Sequence, residues 1–149
     1  MFRITIADEQ HRLTLAPSRL RGAIESVLRG EGIDEAEISL AIVDDPQIHE
    51  LNRRFLAHDE PTDVLSFVLE QRPGYVEGEI VVSADTAAAQ AVQFNWPPED
   101  ELLLYVVHGT LHLAGYDDHT PALRAEMRLR ERFYLNQFGL TPPYDNDGN

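Results

Sequence analysis

Apolar and polar residues alternate from Phe2 to Ile6, so this segment reads as a strand with one buried face, resumed at Arg12 to Leu15. The period then changes. Leu20, Ile24, Val27 and Leu28 recur at helical spacing, with Pro17 and Ser18 as a start signal and Gly30 and Gly32 as a stop. This predicts an amphipathic helix over Pro17 to Leu28. Glu37 to Val43 predicts a second strand, and Asp44-Asp45-Pro46 a turn and cap for a short helix through Phe55. Val64 to Leu69 and Gly78 to Ser83 predict the third and fourth strands. Asp85 to Val92 is alanine-rich and helical, capped by Ser83 or Asp85, and Asn95-Trp96-Pro97-Pro98 breaks it. Glu99 to Leu113 and Pro121 to Phe138 are the last two helices, with Gly139 as the final stop.

Four strands and five helices interleaved without a regular repeat predict an α+β fold: a small, four-stranded mixed sheet covered by about five helices. No composition shift or long linker marks a second domain. A single domain is expected over residues 1–140, with 141–149 as a loose polar tail.

Composition narrows the chemistry. The 149 residues include no cysteine, which excludes disulfides and thiolate zinc sites. The net charge is −14, and every basic side chain is an arginine. Taken alone, this argues against generic nucleic-acid binding through a basic surface, and a polyanion would need a local arginine patch or a metal. The N-terminal residues carry charges where a secretory signal needs an apolar run, and no stretch approaches a membrane span. A soluble cytoplasmic protein with no membrane partner is expected.

The candidate chemistry lies in His108-Gly-Thr-Leu-His112-Leu-Ala-Gly-Tyr-Asp-Asp-His119. His108 and His112 are four residues apart, so on a helix both imidazoles leave one face and can share a zinc ion. Gly115 supplies a residue able to end the helix in the left-handed conformation. Asp117, Asp118 and His119 follow as possible third donors. Three protein ligands leave a fourth position open, which is the arrangement of a catalytic zinc. A metallopeptidase would need Glu directly after the first His as general base; this chain has Gly109.

A second constellation surrounds the third strand. Pro61-Thr62-Asp63 reads as a turn, and Ser66 is a hydroxyl inside an apolar run, which needs a partner when buried.

Together these blocks resemble the YbeY family, bacterial rRNA maturation factors that act as metal-dependent, single-strand-specific endoribonucleases. The resemblance rests on Val43-Asp44-Asp45, Leu51-Asn52, Pro61 to Phe67, Gly78-Glu79-Ile80 and His108 to Asp117, in family order. It implies one zinc ion per chain, single-stranded RNA as substrate, and a role in maturing the 3′ end of small-subunit rRNA and in ribosome quality control. It also implies the ribosome small subunit or its assembly factors as partners.

The family's third ligand lies six residues beyond the second His. That position is Asp118, so the ligand set becomes His108, His112 and Asp118, with His119 taking the place if the turn shifts by one residue. His108 is then the catalytic-site residue linked to the metal. The family also carries an arginine four residues after the Asn of Leu51-Asn52, where this chain has Leu56. Arg53 and Arg54 are the substrate-binding candidates in that region. The rival readings are a non-catalytic ribosome assembly factor with a structural zinc, and a metallopeptidase.

Overall fold

Four strands form one sheet in the computed structural model, which describes residues 1–56 and 63–143. They are β1 (Phe2–Asp8), β2 (Glu35–Val43), β3 (Val64–Arg72) and β4 (Tyr75–Ser83). Their order is β1-β2-β4-β3; β1, β2 and β4 run parallel, and β3 pairs antiparallel with β4 at one edge. The helices among the described residues are α1 (Pro17–Gly30), α2 (Asp45–Leu56), α3 (Ala84–Phe94), α4 (Pro98–Leu113) and α5 (Pro121–Asn136). The predicted α+β fold, with its mixed four-stranded sheet and five helices, is the one observed.

Three local readings differ. Arg12 to Leu15 is not a strand. The Gln10 side chain accepts from the Arg12 and Leu13 amides and donates to the Leu13 carbonyl, so the segment is wrapped round one buried amide instead of a sheet edge. The third and fourth strands run past their apolar cores into a polar hairpin, Gln71 and Arg72 pairing with Val76 and Tyr75. Gly74 (φ 76°) makes the hairpin's turn. Ladder hydrogen bonds carry those residues where hydrophobic pattern cannot. The last helix stops at Asn136, short of Phe138. Pro61 and Thr62 of the predicted turn, the side chain of Leu56, and residues 144–149 of the predicted tail lie outside the described residues.

The main core fills the space between one face of the sheet and α1, α3, α4 and α5. Its inward strand residues alternate along β2 as Ala36, Ile38, Leu40 and Ile42. A smaller cluster of Val43, Ile48, Leu65 and Val81 lies on the other face, under α2. Among the described residues no helix is long and apolar enough to cross a membrane.

α4 is the central helix, with Leu102 to Val107 buried without a break. It is buried on nearly every side, which is why its sequence shows no clean amphipathic period. Two glycines let it lie close on the sheet. A Cβ on Gly109 would stand 2.7 Å from Ile80 Cγ2, and one on Gly78 would stand 2.8 Å from Leu113 Cδ2. The close approach also provides the Ser66 partner: its hydroxyl donates to the Gly109 carbonyl at 3.2 Å.

Candidate metal centre

The end of α4 builds the site. Past Leu113 the chain closes the helix with paired reverse bonds, Tyr116 N–H to Leu111 O (3.0 Å) and Gly115 N–H to His112 O (3.1 Å). Gly115 takes φ of 109°, a conformation that side-chain-bearing residues rarely adopt. The turn sends the following residues back over the histidine face of α4.

There three donors converge. His108 Nε2 and His112 Nε2 are 3.0 Å apart, and Asp118 Oδ2 lies 3.5 Å from the first and 3.6 Å from the second. Tetrahedral zinc with bonds of about 2.0–2.1 Å sets its donors roughly 3.3–3.4 Å apart, so the triangle fits one ion. Two imidazole nitrogens facing at this distance need a cation or a shared proton between them, which again fits a metal. Among the described residues these three form the one group of His, Asp or Glu that could hold an ion. His119 lines the same cleft but is not one of the three: its Nδ1 pairs with the Asp117 carboxylate, and its side chain is 81% exposed.

Each histidine is fixed from behind. Glu131 on α5, fully buried, places Oε2 2.5 Å from His108 Nδ1, and its other oxygen accepts from Arg128 at 2.9 Å. His112 Nδ1 meets the Tyr116 carbonyl at 3.0 Å. Both partners accept, so both Nδ1 atoms hold the proton and both Nε2 atoms turn a lone pair toward Asp118.

The two rings are tuned in opposite directions. Burial disfavours charge on His108, but the hydrogen bond and charge of Glu131, with Asp63 and Asp118 behind it, outweigh burial and hold its pKa above the usual histidine value. For His112, burial and the neighbouring His108 charge prevail over Asp118, and its pKa is held down.

The donors line a cleft of about 510 Å³ together with Asp63, Ser66 and Val68. Side-chain exposure rises from 17% for His108 to 27% for His112 and 39% for Asp118, so the triangle opens toward solvent on the Asp118 side. The glycine after the first histidine has a steric cause. Position 109 faces β3 and β4 with no room for a Cβ, so a glutamate there could not reach the donors. This removes the general base that a metallopeptidase of that pattern requires.

A profile described as "Endoribonuclease YbeY" matches residues 5–139. The chain belongs to the YbeY family. The proteins called Endoribonuclease YbeY in Rhodopirellula baltica and Desulfitobacterium hafniense are similar to it. The first is 45% identical, covering 91% of this chain and 71% of its own length; the second is 39% identical, covering 89% and 90%. The solution structure of TM1509 from Thermotoga maritima superposes with a TM-score of 0.63 at 29% identity, covering 97% of this chain and 96% of the other. The YbeY match spans all five helices and thus every donor.

Sequence reasoning passed over the residues that support the donors. Glu131 sits in the charged run Arg128-Leu-Arg-Glu-Arg132, which reads as an exposed face. Its only signal is the Arg128 partner three residues before it. Arg124, also on α5, donates to the Asp118 carbonyl at 3.2 Å and was equally silent in the sequence. Arg53 and Arg54 lie on α2 and are exposed; Arg53 pairs with Glu50 at 2.7 Å and Arg54 stacks over Phe55.

Proposed function

We propose that this chain is a zinc-dependent endoribonuclease that cleaves single-stranded RNA, with one zinc ion per chain held by His108, His112 and Asp118. The observation that carries the reading is the triangle of three donors at one-ion spacing on the wall of an open cleft, in a chain of an endoribonuclease family. A zinc ion held there supplies Lewis acidity to a phosphate oxygen or lowers the pKa of a bound water.

The chain's own residues prepare that chemistry. Glu131 and the Tyr116 carbonyl keep the Nδ1 protons in place, so His108 and His112 present their Nε2 lone pairs with little reorganisation. Asp118 adds one negative charge to a site otherwise neutral in its ligands. Arg53, Arg54 and Arg124 are the proposed cations for the substrate's phosphates, where a guanidinium stabilises charge that grows in the transition state. Single-strand preference would follow from a cleft that admits a splayed backbone and excludes a duplex.

Family membership supports action in the cytoplasm on the 3′ end of small-subunit rRNA and in ribosome quality control, in contact with the small subunit or its assembly factors. A structural zinc in a non-catalytic factor would call for a fourth protein ligand, and among the described residues the group has three. The test is elemental analysis and cleavage of a short single-stranded RNA with and without chelator, for wild type and His112→Ala. Zinc near one per chain, lost with cleavage in the variant, is expected. Undiminished zinc in His112→Ala overturns the assignment.

A further inference from the structure

The turn that delivers Asp118 is tethered from behind. Tyr116 makes two contacts of different kinds. Its carbonyl meets His112 Nδ1 at 3.0 Å, and its hydroxyl donates to Glu31 Oε1 at 2.9 Å. Glu31 caps the C-terminus of α1. Its second oxygen accepts from the Arg130 guanidinium at 2.6 Å and from the Tyr134 hydroxyl, both on α5. The side chain is only 12% exposed. A Cβ on Gly30 would stand 2.2 Å from the Tyr134 hydroxyl, so glycine is what lets Tyr134 close on Glu31. Burial alone would raise the Glu31 pKa; the bonds from Tyr134, Arg130 and Tyr116 overcome it and hold the carboxylate ionised.

We propose that Glu31 is a positioning residue for the zinc site: through the Tyr116 hydroxyl it fixes the Tyr116 carbonyl that orients His112, and with it the start of the run carrying Asp118. The proposal rests on the reading of His108, His112 and Asp118 as zinc ligands. The reverse-bonded helix end anchors the Tyr116 N–H, and the hydroxyl tether anchors the same residue a second time, on the side of Glu31. A purely structural brace between α1 and the end of α5 exists separately, in the Ser26 hydroxyl donating to Gln137 Oε1 at 2.6 Å. That bond does not touch the turn, so Ser26→Ala serves as a control.

The experiment is a zinc titration of metal-free protein against a chromophoric chelator, at a temperature well below every Tm. Wild type, Tyr116→Phe, Glu31→Gln, the double variant and Ser26→Ala are compared. Residues that orient a ligand usually change metal affinity about 10–100-fold. Tyr116→Phe, which keeps the ring and the carbonyl, is expected to weaken the zinc Kd about tenfold or more. Glu31→Gln is expected to do the same, and the double variant to be no weaker than the worse single, because both remove one bond. Nitrogen-15 spectra of the metal-free His112 ring should change from Nδ1-protonated to a mixture of tautomers in Tyr116→Phe. Ser26→Ala should lower Tm without moving Kd. A wild-type Kd in Tyr116→Phe overturns the proposal even if Tm falls, and that variant decides alone if Glu31→Gln does not fold. Wild type that takes up no zinc overturns the ligand assignment itself and the tether with it.

Discussion

Gly109→Ala sets two opposing effects against each other, and the structure decides the sign. In an exposed helix interior this change adds about 1 kcal/mol of stability through helix propensity. Here the new methyl would stand 2.7 Å from Ile80 Cγ2, 3.1 Å from Ser66 Oγ and 3.2 Å from Val64 Cγ2. Ile80 is fully buried in β4 and cannot yield. Ordinary carbon contacts are about 3.5–4.0 Å, so α4 must withdraw by roughly 1 Å. Overpacking of this kind costs about 1–3 kcal/mol. The Ser66 bond to the Gly109 carbonyl, already 3.2 Å, is lost in the same movement at about 1 kcal/mol more. The net expectation is a loss of about 1–3 kcal/mol, or several degrees in Tm for a chain of this size. Gly22→Ala on α1 is the matched control, because its Cβ would meet only the Phe138 ring at 3.9 Å. Thermal and urea unfolding of the metal-free proteins by far-ultraviolet circular dichroism measures both. Gly22→Ala should gain stability and Gly109→Ala should lose it. A Gly109→Ala protein as stable as the control would refute the close packing of α4 on the sheet.

Four further outcomes are expected. Asp118→Ala should lower zinc content more than His119→Ala, since Asp118 faces the histidines while His119 faces Asp117; elemental analysis giving the reverse ranking would move the third ligand to His119. Glu131→Gln should weaken zinc binding about 10–100-fold in a chelator competition, because the amide must oppose either Arg128 or the His108 proton; unchanged affinity would show that the carboxylate does not orient the ring. In acid, Glu31 has a folded pKa held below its ordinary 4.5, so its contribution is present above 4.5 and is lost as pH falls through the folded value; urea midpoints should fall more steeply with acid in wild type than in Glu31→Gln, and equal slopes would contradict the shift. Short single-stranded RNA should bind weakly, with shallow salt dependence and strong dependence on zinc; tight binding by metal-free protein, with a slope implying about six or more phosphate contacts, would point to a basic surface that a chain of net charge −14 does not suggest.

The sequence disclosed what depends on local pattern. The i, i+4 histidines, the helix-ending Gly115 and the six-residue step to Asp118 lie in one short stretch, and the structure brings those donors together. Element order was legible because most elements carry their own hydrophobic period, and α4 announces itself by a continuous apolar run behind a proline start. The hairpin joining β3 to β4 was not, since Gln71, Arg72 and Tyr75 are held by backbone pairing. Glu131, Glu31 and Arg124 were hidden for a related reason. A buried charge and a solvated one look alike in a sequence, and only the packing of α5 against α4 and α1 shows which is which.

The source of Glu131 bears on when the protein becomes competent during synthesis. All three donors precede α5 in the chain, and the carboxylate that orients His108 arrives only with that helix. Chains fold as they emerge, N-terminal parts first. A chain cut short after Asp118 therefore carries the three donors without the residue that orients His108, and is expected to hold metal no better than the Glu131 variant. An RNA-cutting enzyme built this way is expected to reach its full metal affinity only once α5 has folded against α4.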